Sequence, residues 1–533
     1  MNRTLGFLTA FMMIVAATAR GGEQHSPVEA LLPKKLAPDV YVLCASHRFG
    51  SATVGWVTFR DESTLIDCPH PDYLPKILAG IESTTGKPLK RVILTHSRQS
   101  QLEAARKLLK RGIGIYAEHQ TALLLKQALP GNDPAAQGIR EVDETLKIQD
   151  NGVLLELHPL GHASGPGNIA VLVPHRNILF AGEVCSNGPK NDIARGHNRR
   201  WIEAIGQLQQ LSAETVVPAF GGIGGPEILR RQKDFLVELR RRVSYLITQS
   251  KPREFVVGRL KMQTGVPVSP ILSNWFPYDI PEVTDIEHLY DELTVPMSPY
   301  RNDPFNEEEK RPRALALIGD RVHDPAHIEE HLTRAFSEAG VAVRFAFDVR
   351  ALSSENLKQV HIFCILRDGV DWPEGIDKNT VWMTPDQEKA VVGFVENGGA
   401  LIGLHNCLGL YPAGGPYLEL LGGTYNGHGP LERFRVKVHD TDHPIVRGVE
   451  SFEVADEQHT PVPNLDKVHI FLKSYSEEGV EAAAGWARDF GKGRVCYLAN
   501  GHTRESLAHP MVQLLLRNAI NWCLKRKAEE AGK

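Results

Sequence analysis

The sequence predicts an α/β protein of two domains, and three observations carry the prediction. First, 533 residues exceed what one ordinary hydrophobic core can organise. Second, from residue 313 onward strand-length apolar runs alternate with segments of helical periodicity, the pattern of a parallel sheet covered on both faces. Third, prolines recur from Pro267 to Pro312 too often for long helices, so residues 251–312 read as a Pro-rich linker. The expected organisation is a leader over 1–19, a first domain over 28–250, the linker, and a second domain over 313–526.

The leader expectation rests on Arg3, the apolar run from Leu5 to Ala17 and the small-residue site Ala17-Thr18-Ala19. That run is shorter than the roughly 20 residues a spanning helix needs. Cleavage near Ala19 would leave an exported chain, periplasmic or extracellular, with no membrane span in its mature form. A net charge of −4, from 60 basic and 64 acidic residues, provides no basic field for nucleic acid. The seven cysteines include no C-x-x-C pair, which excludes a disulfide framework and a thiolate zinc site as readings.

In the first domain, Val40–Leu43 and Gly55–Phe59 read as paired strands, Ser63–Pro69 as a third, and Arg91–His96 as a strand leading to a polar loop. That loop is Thr95-His96-Ser97-Arg98-Gln99-Ser100-Gln101. The segment resembles the metallo-β-lactamase fold, an αββα sandwich whose metal site follows such a strand with the pattern T-H-x-H-x-D-H. Only the first histidine of the pattern is present, and Arg98 stands where a ligand belongs; a permanent cation there repels a metal ion. Gly161-His162 matches the family's next histidine, Glu183 replaces its bridging Asp, and Phe220 replaces its last histidine. The resemblance therefore implies a retained scaffold that has lost most of its ligands. His96, His162 and Glu183 are what remains, and two imidazoles with a carboxylate suffice in some zinc sites. Two non-catalytic roles also follow: a docking or oligomerisation module, so that a homo-oligomer is open, or an anion cleft lined by Arg98.

In the second domain, Ala314–Gly319 reads as a buried strand and His327–Ala339 as an amphipathic helix stopped by Gly340. Val341–Phe347 and Val360–Leu366 are further strands. Thr384-Pro385-Asp386-Gln387 has the cap, first-turn proline and reciprocal Gln of a helix start, and Gly398 ends that helix. The run Ala400–Leu404 then delivers His405 to a strand's carboxyl end, the edge where open α/β sheets bind ligands. Gly493–Leu498 and a closing helix from Pro510 complete the domain.

The ordered set Gly403-Leu404-His405, Gly422 to His428, His443-Pro444-Ile445, Asp456-Glu457, Trp486, Gly491 to Arg494 and Gly501-His502 resembles the ThuA-like, or trehalose-utilisation, family of the class I glutamine amidotransferase-like superfamily. The resemblance implies a doubly wound, flavodoxin-like parallel sheet and a role in carbohydrate utilisation, with a small-molecule sugar or keto-sugar derivative as ligand. In glutaminase relatives a cysteine sits on the strand-to-helix elbow; here the elbow residue is His405, and Cys407 lies two residues beyond it, so glutamine hydrolysis is not the expected reaction.

The candidate site is His323, His405, His428, Glu457 and His502, of which roughly two are expected to be structural bystanders. Imidazoles and a carboxylate at converging strand ends can bind a divalent metal or share proton transfer, and spacing does not choose between these. The leading reading is a hydrolase- or lyase-type carbohydrate protein acting through the second domain. Its rivals are a non-catalytic glycan- or partner-binding protein built on two degenerate folds, and a metal-dependent hydrolase working through the first domain.

Overall fold

The computed structural model describes residues 32–47, 50–68, 70–131, 133–187, 192–262, 283–294, 311–371 and 380–525. The expected leader and most of the expected linker lie outside them. The chain divides into two compact units, one of residues up to Pro159 with Ile169–Glu183 and Val217–Ile223, the other of Leu160–Asn168, Val184–Val216 and Gly224 onward. The division thus falls inside 28–250, because the helices Asn198–Gln210 and Glu227–Thr248 group with the carboxyl-terminal sheet. The Arg240 guanidinium donates to both oxygens of Glu329 at 3.0 and 2.7 Å, and Arg199 Nη1 donates to the Val343 carbonyl at 3.1 Å.

The first unit is built on a twelve-stranded mixed sheet. Alternation along Leu89–Leu94 sends Val92 and Leu94 into one core and Ile93 into another. The first core lies under the helices Leu74–Thr85, Gln99–Leu109 and His119–Gln127, where Ile77, Leu108 and Leu125 are buried. The second is closed by Leu155, Val171 and Phe180 from strands later in the chain, so sheet packs on sheet as the sandwich reading requires.

The second unit holds a nine-stranded sheet. Ala342–Ala346, Arg313–Ile318, Ile362–Leu366, Ala400–Leu404 and Gly493–Leu498 lie side by side in that order, all parallel. This 2-1-3-4-5 order is flavodoxin-like, with its switch point beside the first strand. The sheet is not parallel throughout: Glu481–Phe490, His469–Tyr475, His428–Val438 and Phe452–His459 extend it with antiparallel pairing. The sequence shows why. Phe452–His459 buries alternate residues, the mark of a strand with one wet face, whereas Ala400–Leu404 is buried at every position.

Local signals account for the helices. Thr384 and Gln387 form a reciprocal capping box on Pro385–Glu396, and Asp324 caps Pro325–Glu338 through the Ala326 amide. Two helices, Arg253–Met262 and Val283–Thr294, stand inside the expected linker, and its prolines fall outside both. Among the described residues no helix is long and apolar enough to cross a membrane.

Candidate functional site

At the carboxyl end of Ala400–Leu404 the chain turns through His405, whose φ of 49° is rare for a residue with a side chain. Two bonds hold the elbow: Tyr497 Oη donates to the His405 carbonyl at 3.0 Å, and His405 Nδ1 donates to the Ala499 carbonyl at 2.9 Å. A carbonyl can only accept, so the proton sits on Nδ1 and Nε2 carries the lone pair. That nitrogen is buried with no hydrogen-bond partner, 3.6 Å from Glu457 Oε2.

His323 follows the first parallel strand by a short loop and is oriented by Asp320. One Asp320 oxygen accepts from His323 Nδ1 at 2.7 Å and from the His323 amide at 3.0 Å; the other accepts from Asn406 Nδ2 at 2.7 Å. Nε2 of His323 is thereby the acceptor nitrogen, and it lies 3.2 Å from His502 Nδ1. Asp456 fixes the opposite loop, accepting from the Gly501 and His502 amides at 2.9 and 3.0 Å. Glu457, its neighbour on the other face of the strand, places Oε2 3.2 Å from His502 Nδ1, 3.7 Å from His428 Nδ1 and 3.9 Å from His459 Nε2.

All five expected residues are therefore gathered at one place. Four of them, His323, His405, Glu457 and His502, bring one ligand atom each to within 4.8 Å of one another, a group able to hold a metal ion. His428 stands at the margin with its side chain 39% exposed. Burial opposes charge on Glu457, but the imidazoles of His405, His502 and His428 around it more than offset that and hold its carboxyl well below the usual range. The bond to Glu457 raises His502, while burial lowers His323 despite the Asp320 carboxylate beside it. Burial, then the neighbouring His405 and His428, lower His459.

Sequence reasoning missed Asp320, Asn406 and His459. His459 was recoverable, because residues two apart on a strand share a face and Glu457 was already chosen. Nothing local marked Asp320 or Asn406 as partners, since 86 residues separate them. Cys407 is fully buried and its thiol is pushed well above the ordinary value by that burial, which leaves no thiolate for acyl transfer.

The amino-terminal candidates are arranged differently. Glu183 is ion-paired with Arg98, whose guanidinium lies 5.3 Å from the Phe220 ring centre. His96 Nδ1 shares a 2.8 Å hydrogen bond with Thr95 Oγ1, and Thr95 also bonds Asp67 through its amide at 2.8 Å and its hydroxyl at 2.7 Å. His162, in the other unit, donates from Nε2 to the Arg195 carbonyl at 3.0 Å. Among the described residues none of these three belongs to a group with metal-ligand spacing.

A family model described as trehalose utilisation matches residues 313–523, the span that carries the four-donor group. Residues 313–523 are a ThuA domain. The region before it matches metallo-β-lactamases. A type 2 metallo-β-lactamase of Bacteroides fragilis is 23% identical over 197 residues, 36% of this chain and 75% of that protein. Among solved structures, a metallo-β-lactamase from Pontibacter korlensis is 21% identical and is matched over 39% of this chain and 98% of its own, with a TM-score of 0.35. One from Erythrobacter litoralis is 17% identical over 39% and 96%, with a TM-score of 0.32. By its sequence match to the Bacteroides fragilis protein, the amino-terminal region is metallo-β-lactamase-like. The metal implied by those relatives does not fit the residues here, because the Arg98 cation pairs with Glu183, the acid standing at the bridging position.

Proposed function

We propose that the ThuA domain is a divalent-metal-dependent enzyme acting on a sugar or keto-sugar derivative in carbohydrate utilisation. The observation that carries the metal is His405 Nε2, a fully buried lone pair with no hydrogen-bond partner, facing a carboxylate and grouped with two further imidazoles. Such a nitrogen is costly unless something occupies it. His323 Nε2 would be a ligand backed by the Asp320 carboxylate, the usual outer partner of a metal-bound histidine. Three imidazole nitrogens and one carboxylate oxygen, with no thiolate, suit zinc or a first-row transition ion better than magnesium or calcium. Such an ion supplies Lewis acidity toward a carbonyl or hydroxyl oxygen.

The carbohydrate class is supported by the family's description, trehalose utilisation, and by the Tyr425 and His428 rings at the margin, 6.5 Å apart, which suit a sugar face. Export through the leader expected at 1–19 is part of the same proposal, as is a non-catalytic role for the amino-terminal region. The test is the metal content of the full chain, purified from zinc- and manganese-replete medium, beside His405→Ala. Near-equimolar metal that falls in the variant supports the reading. Wild-type protein without metal under those conditions refutes it.

A further inference from the structure

We propose that His428 and His459 face the bound ligand outside the metal group, and that His428 is the base that removes a proton from the carbon beside the carbonyl of an α-hydroxy carbonyl substrate. The inference rests on the metal reading of the site and deepens it by assigning the reaction class. It stands on four observations.

The two histidines are register partners on neighbouring antiparallel strands, with rings stacked at 5.6 Å and 26°. The His459 ring lies 3.9 Å from that of His405, so the pair continues the imidazole layer outward from the four-donor group without joining it. Exposure rises along the layer, from 0% at the His405 side chain through 2% at His459 to 39% at His428, so His428 is the member of the layer that is open to solvent.

The tautomer of His428 is set by its own loop. Nδ1 donates to the Gly429 carbonyl at 2.7 Å, leaving the lone pair on Nε2. The loop is tied down in turn, because the Gly427 carbonyl accepts from the Thr460 amide at 2.9 Å and its hydroxyl at 3.1 Å. The result is a ring nitrogen, Nε2, held in position at the solvent side of the site.

His459 supplies the other half. Its Nδ1 is buried without a hydrogen-bond partner, and Tyr425 packs edge-on against the ring at 5.4 Å. A buried ring nitrogen in that state calls for a polar ligand atom, and a sugar hydroxyl provides one. Every keto carbon within a sugar chain has a hydroxyl-bearing neighbour, so a keto-sugar offers both the acidic C–H and the hydroxyl. In the step assigned here the C–H bond breaks, its proton passes to His428 Nε2, and its electron pair moves into a carbon–carbon double bond as the carbonyl pair shifts onto oxygen. Reversal returns a proton drawn from solvent.

That reversal is the test. The full chain, loaded with manganese or cobalt, is incubated in deuterium oxide with dihydroxyacetone or D-fructose, and deuterium incorporation is followed by proton NMR while metal content is measured on the same samples. Wild type is expected to incorporate deuterium. His428→Asn should do so about 100-fold more slowly with metal content unchanged. His459→Asn should keep its metal and need more probe for half-maximal exchange. No exchange by metal-loaded wild type with either probe, or unchanged exchange in His428→Asn, overturns the proposal. So does loss of metal from His428→Asn, which would make it a ligand. If wild type holds no metal but exchanges deuterium through His428, the metal reading fails and the base assignment survives; absence of both sinks both.

Discussion

His323 Nδ1 donates to Asp320 Oδ1 across 2.7 Å, and the other Asp320 oxygen accepts from Asn406, the residue after the elbow histidine. One buried carboxylate thus ties together the loops that follow two different strands. Removing its charge should loosen His323 as a ligand. Asp320→Asn is expected to weaken zinc binding about 10- to 100-fold, the range for outer-shell partners, as measured by competition with a chromogenic chelator. Affinity equal to wild type would show that His323 does not bind metal.

Gly501 makes a second constraint. Its φ is +154°, and a Cβ there would come within 3.0 Å of His405 Cβ. Gly501→Ala should therefore displace the elbow histidine and cost about 1–3 kcal/mol of stability. Circular dichroism melting reads the stability and metal content reads the displacement. A variant with native melting and full metal would remove the steric argument.

Much of this arrangement was legible in the sequence. The strand Ala400–Leu404 and its turn could be read because a glycine stop, a five-residue apolar run and a polar residue are local signals. Glu457 and His502 could be chosen because Asp456-Glu457 and Gly501-His502 belong to the ordered motif set that resembles the ThuA-like family. What stayed hidden depended on pairing across the chain. The bond between Asp320 and Asn406, the alignment of His428 with His459, and the antiparallel half of the sheet all join residues that no short window contains. The amino-terminal region shows the reverse case, since the sequence marked Arg98 as a cation at an expected ligand position and the structure adds its partner, Glu183.

That pair yields a prediction of its own. Glu183 is 5% exposed at its side chain and Arg98 34%, so Arg98→Ala strands a nearly buried carboxylate. The loss should be about 1–3 kcal/mol in urea unfolding, at the lower end because Arg98 is partly wet. Adding Glu183→Gln to Arg98→Met should restore most of it. A single variant as stable as wild type would mean that the pair carries no net energy.

The pH dependence of folding offers a test remote from the candidate metal group. His443 caps the Ile445 amide with Nδ1 at 3.3 Å and stacks on Phe471 at 4.9 Å. Burial, followed by the neighbouring His469, pushes its pKa down from 6.5 to about 4. Between those values the unfolded chain binds a proton that the folded chain refuses, so stability rises with pH across the window. The contribution is complete above pH 6.5 and disappears as pH falls toward 4. His443→Asn, which can still cap the amide, should flatten the fall in melting temperature between pH 6.5 and 4 relative to wild type. Parallel curves for the two proteins would show that His443 titrates normally in the fold, which its packing between Phe471 and Trp522 argues against.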